Sequence, residues 1–358
     1  MKTTFLPRLP AGKALVTGAL LALAVPGIAY ANTVSVTVKT PGATLGPATT
    51  FSEISTHADC GSGLVSGGGV NQAIGTGTSS NSNHVNGTAP SSNGSTEYTG
   101  TAGVVGTDNT HWLGIGGSGG AVNSSFSSTP YAVCFTSNLI NHTQIVMNKA
   151  AGPTTSSTPL AVTATCPANT VLLGGGARTT PADVGSLKPI ASFPTFNNSA
   201  HDHGLKAAAD GETNPDSWTA EGFNGGGGGT TNTTYAYAIC SGSGIDVSSV
   251  TVKVHHSEVN GPTSATAGQT ATVGCGTDGK LVGGGAAISG GSVTTTDFTA
   301  PGSGGDHLTG SFPSDSGGNP VSDGTTTAAY WTASTHTGGA GSPNTYSDAW
   351  ALCADDGV

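Results

Sequence analysis

The 358 residues carry 10 lysines and arginines against 20 acids, a formal charge of −10, with 8% charged side chains and 58 glycines. Cations this sparse form no basic patch, which excludes a nucleic-acid surface and an anionic membrane surface as partners. Fifty-eight glycines also penalise helix interiors, and the apolar residues come in short runs between turn residues, so the composition points to an all-β chain.

The N-terminus reads as a secretory signal peptide over residues 1–31. Lys2, Arg8 and Lys13 form a basic n-region, Ala14 to Ile28 an apolar stretch interrupted by Gly18, Pro26 and Gly27, and Ala29-Tyr30-Ala31 an A-x-A cleavage site. Asn32 is then the expected mature N-terminus. Cleavage leaves 7 cations against 20 acids, a formal charge of −13. No later stretch is apolar enough to span a bilayer, which takes about 20 residues. The expectation is an exported protein with no membrane insertion after cleavage.

The rest of the chain writes one block three times, over 32–134, 135–240 and 241–358. The first copy opens on the alternating Val34-Ser35-Val36-Thr37-Val38, a half-buried strand pattern. Gly46-Pro47 follows, then Cys60, then Gly67-Gly68-Gly69. Residues Gly75 to Gly100, Pro90 among them, are polar and read as a long exposed loop. Trp112 returns to order, and Tyr131-Ala132-Val133-Cys134 closes the copy.

The second copy opens on Gln144-Ile145-Val146-Met147 and passes Gly152-Pro153, Cys166, Gly174-Gly175-Gly176 and Ser192-Phe193-Pro194. A polar loop from Asn197 to Pro215 carries His201, His203 and Asp210. Trp218 and a flexible tip at Gly225–Gly229 precede Tyr237-Ala238-Ile239-Cys240. The third copy runs from Val250-Thr251-Val252-Lys253-Val254 through Gly261-Pro262, Cys275, Gly283-Gly284-Gly285, Ser311-Phe312-Pro313 and Trp331 to Trp350-Ala351-Leu352-Cys353. In every copy the proline lies 13 residues before the first Cys and the Trp 22 before the second. Spacings this regular make each copy a structural unit.

Six Cys, one pair per copy, indicate disulfides in an exported chain. The repeat favours Cys60–Cys134, Cys166–Cys240 and Cys275–Cys353. The rival scheme joins Cys134–Cys166 and Cys240–Cys275 and leaves Cys60 to meet Cys353. With no C-x-x-C pair, zinc binding by these residues is not expected.

The repeated residues read first as architecture. None of the glycine runs continues into the G-K-[ST] of a phosphate loop; they suit strands where a backbone or a Trp ring packs close. Trp112, Trp218 and Trp331 have two readings: core plugs beside the disulfides, or three sugar-stacking platforms, one per copy. In the closing tetrapeptides the aromatic and aliphatic residues share one strand face, and Ala and Cys share the other.

Catalytic matches are thin. Ser314-Asp315-Ser316-Gly317-Gly318 resembles the nucleophile segment of chymotrypsin-like proteases, but no matching upstream His segment exists. Gly116-Gly117-Ser118-Gly119-Gly120 fits G-x-S-x-G formally, without a strand-to-helix elbow. His201-Asp202-His203 and His255-His256 occur in one copy each and give no expected metal site. No acid recurs at a matching position in all three copies, so Asp108, Glu221 and Asp306 are arbitrary candidates for a hydrolase.

The run Leu-x-Gly-Gly-Gly, then Ser-aromatic-Pro, then Trp, then Tyr-Ala-Val-Cys resembles a repeat of exported bacterial proteins of unknown function, often actinobacterial. Copy one departs from it in lacking a clean Ser-Phe-Pro. The threefold repetition is also similar to a β-prism of the vitelline-membrane type, an analogy of fold that implies no activity.

The expected architecture is therefore all-β: three pseudo-equivalent antiparallel β-units, in tandem or about a pseudo-threefold axis, with one disulfide each. The expected function is non-catalytic, a secreted or cell-surface protein with a structural or adhesive role. The alternative is a carbohydrate-binding protein using loop or Trp positions; a secreted hydrolase ranks third. No cofactor is expected, and the partners in view are extracellular glycan or the cell envelope.

Overall fold

The computed structural model describes residues 1–2, 34–73, 82–122, 125–181, 187–226 and 231–355. Apart from Met1 and Lys2, the predicted signal peptide lies outside the described residues, as do residues 75–81 of the predicted first loop and the glycine tip at 227–229. No helix of the described residues is long and apolar enough to cross a membrane. Asn32–Val358 forms one compact unit, and it is all-β.

The first repeat supplies β1 (Val34–Lys39), β2 (Thr44–Leu45), β3 (Glu53–Asp59), β4 (Leu64–Ala73), β5 (Asn83–Ser91), β6 (Gly103–Thr107), β7 (His111–Ser118) and β8 (Ser127–Ser137). The second supplies β9 (Thr143–Ala151), β10 (Pro159–Thr165), β11 (Leu172–Thr180), β12 (Leu187–Thr195), a 3-10 turn at Ser199–Gly204, β13 (Ser217–Asn224) and β14 (Thr233–Ser241). The third supplies β15 (Thr251–Asn260), β16 (Gly268–Gly274), β17 (Lys280–Ser289), β18 (His307–Ser314), β19 (Tyr330–His336) and β20 (Tyr346–Asp355).

These strands form three antiparallel sheets, and no sheet belongs to one repeat. One sheet runs β1-β8-β4-β18-β19-β16, with β2 beside β8; its first half is repeat one and its second half repeat three. The next, β10-β13-β12-β17-β20-β15, joins repeats two and three. The last, β3-β7-β5-β11-β14-β9-β6, joins repeats one and two. Each repeat thus divides its strands between two sheets, and the three repeats exchange halves cyclically. Sequence boundaries at 134/135 and 240/241 fall inside β8 and β14, so the repeats are units of sequence and not separately folded bodies.

The disulfides follow the within-copy scheme: Cys60–Cys134, Cys166–Cys240 and Cys275–Cys353. Because each repeat is split, each bridge ties two sheets together. Chain-entropy reasoning puts a closed loop of this length at about 4–5 kcal/mol.

The three glycines of each run have three different jobs. The first glycines, Gly67, Gly174 and Gly283, meet one another where β4, β11 and β17 converge. A Cβ on Gly67 would press on the Val282 carbonyl, one on Gly174 on the Ser66 carbonyl, and one on Gly283 on the Leu173 carbonyl. That closed ring of contacts is the pseudo-threefold axis. The second glycines, Gly68, Gly175 and Gly284, each lie under the Trp of their own repeat, Trp112, Trp218 and Trp331. The third, Gly69, Gly176 and Gly285, lie against the main-chain carbonyls of Ser311, Thr88 and Ser192, where the halves of two repeats join.

The Trp rings fill the space that the glycines leave. All three are 0% exposed, and each crosses from one sheet to the glycine strand of another. Trp218 Nε1 donates to Ser192 Oγ at 2.8 Å and Trp331 Nε1 to Ser311 Oγ at 3.0 Å. In repeat one the corresponding residue is Thr88, and Trp112 Nε1 has no hydrogen-bond partner. Ala132, Cys134 and Trp112 share one hydrophobic cluster, whereas Tyr131 packs with Val38 and Phe312 in another, as strand alternation requires.

The structure corrects the reading of Gly75–Gly100 as exposed loop. Asn83–Ser91 is β5, every residue of it buried, paired with β7 so that Pro90 faces Trp112. Pro194 faces Trp218 and Pro313 faces Trp331 in the same way, so Thr88-Ala89-Pro90 is repeat one's counterpart of Ser-Phe-Pro. The remaining loop segments cover the outer faces of the sheets. Tyr237 of repeat two donates to the Tyr98 carbonyl of repeat one at 2.9 Å, and Trp350 of repeat three to the Ala208 carbonyl of repeat two at 3.0 Å. Val321 and Ala328 of repeat three pack on Tyr131 of repeat one. Each repeat's long loop therefore seats on the closing aromatic residue of another.

Candidate functional site at one end of the core

The strands that carry the proline share more than that residue. Each has a bulge at one place, between Val85 and Gly87, Pro189 and Ala191, and Leu308 and Gly310. A bulge of this kind re-aims the side chains beside it. Counting six residues back from each proline gives His84, Lys188 and His307, which are therefore pseudo-equivalent. One per sheet, they converge at one end of the core and line a single pocket of about 310 Å³. Glycines form much of its wall, among them Gly119, Gly120, Gly225 and Gly304. Val85 and Leu308, next in sequence to His84 and His307, share an apolar cluster with Ile190 and Phe223.

All three side chains are nearly inaccessible, at 3%, 1% and 1% exposure. Lys188 Nζ donates to the Gly304 carbonyl at 3.0 Å and lies 5.6 Å from the centre of the Phe223 ring. Burial pushes its ammonium down to about 8, with Asp306 pulling the other way. Asp306 is itself buried, which raises its carboxyl above the ordinary range. Burial, seconded by the charge of Lys188, holds His84 down to about 3 and His307 well below the usual imidazole value. Both imidazoles are thus neutral at pH 7.

A carbonyl oxygen only accepts, so the contact at His307 fixes which of its ring nitrogens carries the proton. His307 Nδ1 donates to the Gly305 carbonyl at 2.6 Å, while the His84 ring meets the carbonyls of Ser82, 2.8 Å from Nδ1, and Leu187. His307 Nε2 is left as a lone-pair acceptor, buried and without a partner. His336 stands beside it, with ring centres 5.3 Å apart. The pocket sets three converging polar side chains in a wall made largely of glycine, and a concave site with a few convergent polar groups is where small molecules bind.

The residues singled out from the sequence are placed elsewhere. Trp112, Trp218 and Trp331 present no face to solvent and are not stacking platforms; a glycine-rich interior leaves gaps that only large rings fill. His201 is held by Asn198 and Glu212 and lies against Phe196. His255 lies between Asp210 and Asp278, at 3.4 and 3.1 Å. His256 meets Asp348 at 3.0 Å and stacks on Trp350. Among the described residues, no group of three His, Cys, Asp or Glu side chains could hold a metal ion.

Ser316 is exposed in a turn closed by Asp315, whose Oδ1 accepts from the Gly317 and Asn319 amides. Ser118 Oγ donates to the Thr49 carbonyl. Asp108 accepts from the Thr143 amide at the start of β9, Glu221 is buried within β13, and Asp306 lies next to the pocket. Sequence reading missed His84, Lys188 and His307 because copy one's Thr88-Ala89-Pro90 hides the alignment that relates them. The signal was the residue six before each proline. No family model matches the chain, and a search of curated proteins finds no relative.

Proposed function

We propose that the chain is a non-catalytic exported β-repeat protein with a structural or adhesive role outside the cell or on its surface. The observation that supports this best is the set of three disulfides, each tying two sheets of one core. Such bridges persist in oxidising compartments. The reading of residues 1–31 as a signal peptide and the resemblance to exported bacterial repeat proteins point the same way. Expression of the full chain with fractionation and N-terminal sequencing tests it. The expected product is extracellular or envelope-bound, begins at Asn32 and contains no free thiol. A reduced product retained in the cytoplasm, or turnover on an ester, peptide and glycoside panel, overturns the reading.

Carbohydrate binding is a second reading, favoured by the pocket at His84, Lys188 and His307. With the Trp rings buried, a glycan would be met through loop-end positions and not by stacking on those residues.

A further inference from the structure

We propose that the pocket at the end of the core binds one small neutral polyhydroxylated molecule, a single sugar residue or a polyol, through Lys188 and His307. This rests on the second of the two readings above and narrows it to a site and a ligand class. The argument is one of matching donors and acceptors. Lys188 brings an ammonium that donates to the Gly304 carbonyl, and an ammonium carries further hydrogens to give. His307 Nε2 is a buried acceptor with no partner at the pocket, and the buried carboxylate of Asp306, which accepts from the Ser303 amide, lies next to it. A buried unpaired acceptor destabilises a protein and is unusual without a reason.

A bare anion would satisfy Lys188 and be repelled by the two acceptors. A cation would satisfy the acceptors and be repelled by Lys188. A hydroxyl accepts from the ammonium and donates to the imidazole, and Lys188 with Asp306 leaves no net charge for a ligand to balance. The pocket's size, about 310 Å³, suits one sugar ring and not a longer chain. Walls of glycine leave main-chain groups open to further hydroxyls.

The test is titration calorimetry and ligand-observed NMR on the intact oxidised protein. The probes are glucose, galactose, mannose, N-acetylglucosamine and myo-inositol, with phosphate and sulfate as the anion arm. Two variants accompany it. Lys188→Met removes the ammonium and keeps the stem. Gly120→Leu places a side chain at an exposed wall position, where a Cβ meets only Phe51, at 3.4 Å. Saturable one-to-one binding of a neutral probe is expected, weakened by about tenfold or more in both variants, a loss of roughly 1.4 kcal/mol. Thermal unfolding of Gly120→Leu should match the parent, which separates blocked access from misfolding. No neutral probe binding, binding by the anions only, or binding unchanged in Gly120→Leu would each overturn the proposal. Sugar binding that survives Gly120→Leu would leave a carbohydrate function standing at another site, and none of these results bears on export or the disulfides.

Discussion

At the scale of the single residue, Glu221 shows how an unusual side chain is tolerated by giving up its charge. It lies in β13 between Ala161 of β10 and Ala191 of β12 and is 2% exposed. Three residues after the Trp in each repeat, the other two copies have Ile115 and Ser334. Burial raises its carboxyl from 4.5 to about 8. Between those values the unfolded chain has lost this proton and the folded chain keeps it. Its contribution to stability is therefore complete below about pH 4.5 and declines as pH rises toward 8, by up to about 1.4 kcal/mol per pH unit. Glu221→Gln should be close to the parent near pH 4.5 and more stable than it near pH 8. Denaturant unfolding across that range checks this, and two parallel stability curves would show that Glu221 ionises freely in the folded protein.

At the scale of the element, the middle glycine of each run is set by the ring above it. Strand β11 approaches β13 closely because Gly175 has no Cβ to meet Trp218. Gly175→Ala should destabilise by about 1–3 kcal/mol or more through overpacking. Gly100→Ala, where an added Cβ meets nothing within 4 Å, should be neutral or stabilising by a few tenths. Chemical denaturation of the two variants side by side is the measurement, and equal midpoints would mean that the Trp ring can move aside. This packing was legible in the sequence, because glycine triplets after apolar residues, recurring with a Trp, admit few other uses. The Cys pairing was legible for the same reason: one pair recurs in each copy, at separations of 74, 74 and 78 residues, in the same place relative to the Pro and the Trp. Strand β5 was not, because Asn83-His84-Val85-Asn86-Gly87 alternates no apolar residues. Its burial comes from facing the core's polar end, which only the assembled sheets create. The site was hidden with it, since His84 cannot be matched to Lys188 and His307 until Pro90 is matched to Pro194 and Pro313.

At the scale of the whole molecule, the exchange of half-repeats between sheets decides what can fold. A reading by repeats suggests that each third is self-sufficient, since each has its own bridge, Trp and glycine run. The sheets say otherwise. In the second repeat, β12 and β13 pair with each other and then need β17 of the third repeat, while β11 and β14 need β5 of the first. Cut from its neighbours, the repeat would keep two small strand groups joined by Cys166–Cys240 and Trp218, with Gly174 and Gly176 exposed where other repeats had packed. About a hundred residues so rich in glycine bury too little apolar surface to offset chain entropy unless all three glycine contacts are made. The segment 135–240 alone should therefore be unfolded by circular dichroism and amide-proton NMR even with its disulfide formed. Residues 32–358 should unfold in one transition, because the loss of any one repeat breaks two of the three sheets. A folded, dispersed spectrum from the isolated segment, or three separable transitions in the intact protein, would mean that the repeats are autonomous and that the exchanged pairings contribute little.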